Sequence, residues 1–310
     1  MYCYSAYGLD LASDLPLPEL QPGIGRPDVH IRVIGAKCDS GSENRPIECI
    51  SATPERVRLS WGPVAELLIE DGRMITVTPG SAADEESLRL FVGGAGIGVL
   101  LHQRGLLVLH GSAVVIRGQA IGFVGAKGWG KSTTATALHR RGHALVTDEL
   151  LVVDLDKNGA PTVRPGSPYL KLWHDALLET GGSPESARQI LPGADKYYVG
   201  ASVVAPPDVP LRRIYVLDVG ERLAAEPIRA ANAFFGLVPH LYVSRFGTPF
   251  LQSAGSQPAF SRLAAVLRRI ETIRLMRCKD LAQLPDIANL IESDCSDISA
   301  AQSCPDTTFA

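Results

Sequence analysis

The chain reads as an α/β fold in two parts: a small N-terminal β-rich domain and a larger C-terminal domain built on a mixed sheet. Three observations predict it. Short strand-like runs separated by turn residues fill roughly the first 80 positions. A glycine-rich segment, Gly125 to Ser132, follows the apolar run Ala120 to Val124 and precedes a helical run, Thr133 to Arg141. The apolar run is itself the second arm of a hairpin, because Leu106–Ile116 and Gln119–Val124 flank Arg117-Gly118. An antiparallel entry of this kind excludes a purely parallel sheet.

The elements follow in chain order. Val29–Ile34 and Arg56–Trp61 alternate as strands, and Asp71-Gly72 joins Ala65–Glu70 to Arg73–Thr78 in a hairpin, since both central turn positions need positive φ. No element is assigned to Cys38–Arg45, which is rich in Ser, Gly and Asn. Asp84 to Arg104 is helical: three acidic residues open it, and Leu88, Phe91, Val92, Ala95 and Val99 recur at spacings of three and four. Gly93, Gly94, Gly96 and Gly98 lie inside that helix and follow no strand, so they mark close packing and not a dinucleotide fingerprint. Ala144–Thr147 is a buried strand, and Leu150–Leu155 and Pro161–Arg164 form a second hairpin around Asn158-Gly159. Pro165–Pro168 is a loop, Leu172–Thr180 a helix, Leu211–Val219 a late strand, and Phe260–Ile273 and Leu281–Glu292 two terminal helices. These assignments give a β-rich domain over 1–82, a linking helix over 83–105, a main domain over 106–292 and a disordered tail over 293–310.

Gly125-Ala126-Lys127-Gly128-Trp129-Gly130-Lys131-Ser132 fits G-x-x-x-x-G-K-[ST], in the strand–loop–helix context that this motif requires. The glycines open backbone conformations in which successive N–H groups surround a phosphate at a helix N-terminus. Lys131 places a cation on the β- and γ-phosphates of a nucleotide, and the Ser132 hydroxyl is suited to its Mg²⁺. The nucleotide site therefore comprises Gly125 through Ser132 with Thr133. Lys127 and Trp129 read either as a second cation and a base contact or as solvent-facing loop residues.

Asp148 and Glu149 end a buried strand one helix beyond the loop. Strand ends of an α/β sheet lie at the ligand crevice, where one carboxylate can hold Mg²⁺ and another can accept a proton from an attacking hydroxyl; which acid does which is open. His110 stands on the strand before the loop strand, where a lone histidine is more often a packed core residue than a catalyst. His139 and His143 have the i, i+4 spacing of metal ligands, but Gly142 breaks the helix between them.

Composition narrows the partners. A formal charge of −3 and a pI near 6.2 provide no basic footprint for nucleic acid or for an anionic membrane. The six cysteines include no C-x-x-C pair, and no apolar run approaches the ~18 residues needed to span a bilayer. A cytoplasmic location with reduced thiols is expected. Nothing in the sequence fixes the oligomeric state, and a homo-oligomer stays open.

His110-Gly111, the loop Gly125–Ser132 and Arg141-Gly142-His143-Ala144-Leu145-Val146-Thr147-Asp148-Glu149 together resemble the catalytic core of the HPr kinase/phosphorylase family. That core has a histidine-glycine strand, a G-x-S-G-x-G-K-S loop and an R-G-H-x-L-V-x-D-D segment. Tyr4–Leu9, Leu15–Leu20, Leu101–Leu107, Lys171–Leu177 and Asp195-Lys196 resemble the HPr-kinase-like proteins encoded beside lasso-peptide genes. The resemblance implies the fold shared by HPr kinase and phosphoenolpyruvate carboxykinase. It also implies ATP- and Mg²⁺-dependent serine kinase activity. By it Lys131 is the phosphate cation, Ser132 and Asp148 hold the metal, Asp148 and Glu149 form the acid pair, and His110 is an auxiliary active-site residue.

The departures are specific: the loop serine is Lys127, the second aspartate is Glu149, and the segment that follows the acid pair in true HPr kinase/phosphorylases has no counterpart. Neither phosphorylase activity nor HPr as acceptor is therefore implied. The acceptor expected is a Ser or Thr hydroxyl of a small protein or peptide, with a lasso-type precursor peptide in front. A small-molecule kinase and a non-catalytic nucleotide-binding regulatory module are the alternatives.

Overall fold

The computed structural model describes residues 1–35, 46–247, 250 and 256–296. Cys38–Arg45 lies outside them. The chain opens with an 8-stranded sheet made of β1 (Tyr2–Ala6), β2 (Leu9–Ser13), β3 (Gln21–Pro22), β4 (Val29–Val33), β5 (Glu48–Ala52), β6 (Arg56–Trp61), β7 (Ala65–Glu70) and β8 (Met74–Pro79). Its spatial order is β3-β1-β2-β4-β8-β7-β6-β5. Asp71 (φ 52°) and Gly72 (φ 60°) make the expected hairpin turn. Alternation then sets the faces: Val57, Leu59, Leu67, Ile69, Ile75 and Val77 all point inward and are buried.

That buried face meets the expected linking helix, which runs as α1 (Glu85–Phe91), a π-helical turn (Val92–Gly96) and α2 (Ile97–Gln103). Asp84 caps it, its carboxylate accepting from the Ser87 N–H at 2.7 Å and the Ser87 hydroxyl at 2.9 Å. Gly94, Gly96 and Gly98 serve close approach, whereas Gly93 faces open space. A Cβ on Gly96 would lie 3.2 Å from Leu67, and one on Gly98 would lie 2.3 Å from the Tyr242 ring.

The second sheet contains β9 (Leu107–Ile116), β10 (Gln119–Val124), β11 (Ala144–Thr147), β12 (Leu150–Leu155), β13 (Pro161–Arg164), β17 (Val209–Val219), β18 (Ala224–Pro227) and β19 (Glu271–Arg277). It is mixed: β10 pairs antiparallel with β9 and parallel with β17, as the hairpin entry requires. One edge of β9 is shared by β11, opposite Ala113–Val115, and β12, opposite Leu107–His110. The interruption between β11 and β12 is Asp148-Glu149. A small third sheet is built from β14 (Tyr169–Trp173), β15 (Arg188–Gln189) and β16 (Lys196–Gly200).

The remaining helices are α3 (Lys131–Arg140), α4 (His174–Glu179), α5 (Ala230–Leu237), α6 (Ser256–Leu267) and α7 (Leu284–Asp294). One face of the second sheet packs on α3 and α7 through Ala135, Leu138, Ile287 and Ile291. Its other side joins the N-terminal sheet in one continuous core that includes Ile31, Leu67 and Ile75 together with Leu109, Leu151 and Ile214. No helix among the described residues is long and apolar enough to cross a membrane.

Three expectations need correction. Leu172 and Trp173 belong to β14, paired with β16, so the helix expected from Leu172 begins at His174. The helix expected over Phe260–Ile273 is α6, Ser256–Leu267, and Glu271–Arg277 is instead a strand parallel to β17. The tail expected from 293 starts inside α7: Asp294 accepts from the Tyr215 hydroxyl at 2.5 Å and pairs with Arg213 at 2.7 Å, and Cys295 is buried. Residues 297–310 lie outside the described residues.

Candidate active site

The loop leaves β10 at Val124 and enters α3 at Lys131. Gly128 (φ 79°) and Gly130 (φ 71°) take left-handed conformations that a side chain would strain. Gly130 also needs to be small for a second reason, because a Cβ there would lie 2.3 Å from Arg277 Nη2. Arg277, at the end of β19, donates to the Trp129 carbonyl at 2.5 Å and so pins the loop from outside. Lys127 is exposed and Trp129 half-buried at the open side, while Thr133 is buried on α3.

Lys131 is only 7% exposed and folds back over the loop, its Nζ donating to the carbonyls of Gly125 (2.9 Å) and Ala126 (3.1 Å). Burial pulls its ammonium down to about 8, against the nearby Asp148 charge, which favours the cation. The adjacent Ser132 hydroxyl donates to Asp148 Oδ1 at 2.9 Å. The loop and the acid pair, separated by an entire helix and strand in sequence, are thus in direct contact.

The two acids differ in surroundings. Asp148 Oδ1 also accepts from the Ser112 hydroxyl on β9 at 2.5 Å, and Oδ2 accepts from the Lys171 backbone N–H at 2.8 Å. Glu149 sits at positive φ (81°), unusual for a residue with a side chain and costing on the order of 1 kcal/mol. The strand break this creates is held by Gly111 N–H and His110 Nδ1, at 3.2 and 3.3 Å from the Glu149 carbonyl. Beyond it the Glu149 carboxylate pairs with Lys171 Nζ and lies 3.6 Å from Arg245 Nη1. Burial alone would raise this carboxyl, but Lys171 and Arg245 outweigh it and hold it well below the usual carboxylate range. Lys171 is stabilised as a cation in return: its burial disfavours the charge, and Glu149 more than restores it.

His110 lies beside the acid pair. Burial first, then the Lys131 charge, lowers its ring to about 3, so it is neutral at ordinary pH. Nδ1 can offer the Glu149 carbonyl only a hydrogen, which leaves Nε2 as an acceptor. His139 and His143 instead serve structure: His139 bonds the His143 carbonyl at 2.8 Å, and His143 bonds Glu292 at 2.8 Å.

The structure brings together His110, the loop, Lys131, Ser132, Asp148 and Glu149. It adds Ser112, Lys171, Arg245 and Arg277, which sequence reasoning did not place. Ser112 adjoins the His110-Gly111 pair and Lys171 opens a patch already singled out, so a signal existed for these two. Arg245 and Arg277 carried none. For a metal, the described residues hold no group of three or more His, Cys, Asp or Glu side chains suited to a cation. Two hard oxygen donors, Ser132 and Asp148, fit Mg²⁺, which keeps most of its shell for water and phosphate.

No protein-family model and no curated protein sequence matches the chain. Among solved structures it is similar to the HPr(Ser) kinase/phosphatase from Coxiella burnetii, at 13% identity and a TM-score of 0.34, over 62% of this chain and 98% of that one.

Proposed function

We propose that the chain is an ATP- and Mg²⁺-dependent kinase that transfers the γ-phosphoryl group to a Ser or Thr hydroxyl of a small protein or peptide. The observation that carries this reading is the contact of Ser132 with Asp148, which joins a nucleotide-type loop to an acid pair beside the buried cation Lys131. A lasso-type precursor peptide is the leading acceptor, on the resemblance of the N-terminal patches, and the cytoplasm is the compartment that fits the composition.

Mg²⁺ would be held by Ser132 and Asp148 and would neutralise charge on the transferring group. The loop N–H groups and Lys131 orient the phosphates. The acceptor oxygen forms a bond to the γ-phosphorus, the bond from that phosphorus to the bridging oxygen breaks, and ADP leaves. The acceptor's proton passes to a carboxylate of the acid pair. We assign that role to Glu149, whose carboxylate pairs with Lys171 while Asp148 is the acid that Ser132 meets. Its low basicity suits a loose transition state, in which the hydroxyl proton departs late and the base chiefly orients.

The test has two parts. ATP with Mg²⁺ at a hundredfold excess over Kd stabilises the native state by about 2.7 kcal/mol, read as a raised melting temperature. Glu149→Gln keeps that shift and lowers transfer to a Ser-containing acceptor on the order of 10²-fold. No melting shift with ATP, ADP or GTP at millimolar levels would remove the nucleotide reading. Transfer at near-normal rate in Glu149→Gln would remove the acid's role.

A further inference from the structure

The third sheet brings together two patches separated in the chain, Lys171–Leu177 and Asp195-Lys196. β14 and β16 pair antiparallel, with Lys171 opposite Tyr198 and Trp173 opposite Lys196. Alternation divides these four from Leu172 and Tyr197, which join Ala176 and Leu177 of α4 in a separate apolar cluster. The other face turns to the acid pair: Lys171 pairs with Glu149 through Nζ, and its backbone N–H donates to Asp148 at 2.8 Å. Lys196 stands on that same face, one pair further along the ladder.

Lys196 is half-buried, and its Nζ lies 5.6 Å from the centre of the Trp173 ring. Among the described residues no carboxylate or carbonyl holds that ammonium. The adjacent Asp195 is exposed and lies 3.7 Å from His174 instead. Burial pulls the Lys196 ammonium below the ordinary lysine value; Asp148 and Glu149 act against that, and Lys171 and Lys127 act with it. Lys131 feels the Lys196 charge in turn. A cation that bears on Asp148, Lys127 and Lys131 together stands where the loop meets the acid pair. Holding it there without a counter-ion costs free energy, which a bound anion would recover.

We propose that Lys196 is a further catalytic residue, an ammonium that meets the γ-phosphoryl oxygens from the third sheet while Lys131 meets the phosphates from the loop. This rests on the kinase reading. Ser132 and Asp148 mark the metal side of the phosphates and Lys131 the β- and γ-positions, so the anion that comes within reach of all three is the terminal phosphate. Charge is spread over its oxygens during transfer, and an ammonium already held in place stabilises that charge without reorganising. ADP lacks the group, so Lys196 also tells ATP from ADP.

Calorimetric titration of the full chain with Mg²⁺ and either ADP or the unhydrolysed ATP analogue AMP-PNP reads this contact without turnover. Lys196→Met should raise the AMP-PNP Kd about tenfold or more and leave the ADP Kd within about twofold. Its nucleotide-free melting temperature should stay at or above wild type, since an unpaired charge has gone. Transfer to a Ser-containing acceptor should fall on the order of 10²-fold in kcat. Trp173→Leu removes the ring beside the ammonium and keeps the charge, and should give the same selective loss at smaller size. ADP and AMP-PNP weakened equally in Lys196→Met, or neither weakened, overturns the inference, as does an unchanged kcat. Should Lys196→Met not fold, Trp173→Leu decides, and a wild-type ratio of the two affinities there overturns the inference. A wild-type protein that prefers AMP-PNP through Lys196 yet transfers to no acceptor discards the kinase reading and keeps the γ-phosphate contact. Binding of neither nucleotide discards both.

Discussion

At Lys131 the fold holds a charge that burial opposes. Its folded pKa of about 8 lies below the ordinary 10.5, so the unfolded chain binds its proton more tightly. The charge therefore costs stability below pH 8, and that cost fades between about 8 and 10.5. Lys131→Met should leave the nucleotide-free melting temperature unchanged or raised at pH 7, while abolishing the shift that ATP produces. A second consequence concerns protons. Above pH 8 the free protein has lost the ammonium, so binding an anionic nucleotide should restore it and take up a proton. Calorimetry in buffers of different ionisation enthalpy detects that uptake, and Lys131→Arg should remove it, because a guanidinium stays charged throughout. Equal heats in all buffers at pH 8.5 would show that Lys131 does not meet the phosphates. The position of Lys131 was legible because its motif is contiguous. Ser112 and Lys171 adjoin residues the sequence already singled out, whereas Arg245 reaches Glu149 and Arg277 the Trp129 carbonyl from separate elements, through pairings that no local pattern encodes.

At the level of elements, the glycines between Val92 and Gly98 separate two effects that substitution usually mixes. Alanine gains up to about 1 kcal/mol over glycine in a helix, whereas overpacking costs roughly 1–3 kcal/mol. At Gly93 only the first applies; at Gly98 a Cβ would lie 2.3 Å from the Tyr242 ring, and the second wins. Gly93→Ala should melt at or above wild type and Gly98→Ala several degrees below it. Gly98→Ala should also slow transfer, since Tyr242 lies under Arg245 at 4.8 Å and Arg245 faces Glu149. Equal melting temperatures would mean that the helix does not pack this closely. The sequence identified this packing at Gly94, Gly96 and Gly98 but not at Gly93, which faces open space, and it identified the hairpins at Asp71-Gly72 and Arg117-Gly118, because turn chemistry and small residues act locally. It failed at Leu172-Trp173 and at Glu271–Arg277 for the opposite reason. Leu172 to Leu177 carries apolar residues at helical spacing, and only pairing with β16 makes its start a strand. Glu271–Arg277 prolongs the apolar spacing of α6 until β17 captures it in a parallel ladder.

Over the whole molecule, the N-terminal sheet, the linking helix and the sheet that carries the loop share one buried cluster. The division at 82 and 105 is proposed as one of architecture and not of stability, and the chain should melt in a single transition. Its acid sensitivity follows from two histidines on that shared body. Burial, with the Lys131 charge second, lowers His110 to about 3 and His240 to about 4, against an ordinary 6.5. Between those values the unfolded chain binds more protons than the folded one, so stability rises with pH and is lost on acidification. Lowering the pH from 7 to 5 should cost at most about 2 kcal/mol for each histidine. That window stays above the ordinary carboxylate value of 4.5, so the loss of the Glu149 ion pairs, which acts in the same direction, begins only below it. Urea unfolding at pH 7, 6 and 5 measures the slope. His110→Gln and His240→Gln should each flatten it, and the double variant should remove most of it, whatever their effects at pH 7. A slope unchanged in the double variant would place the acid sensitivity elsewhere, and two separate transitions at pH 7 would show that the shared cluster does not couple the sheets.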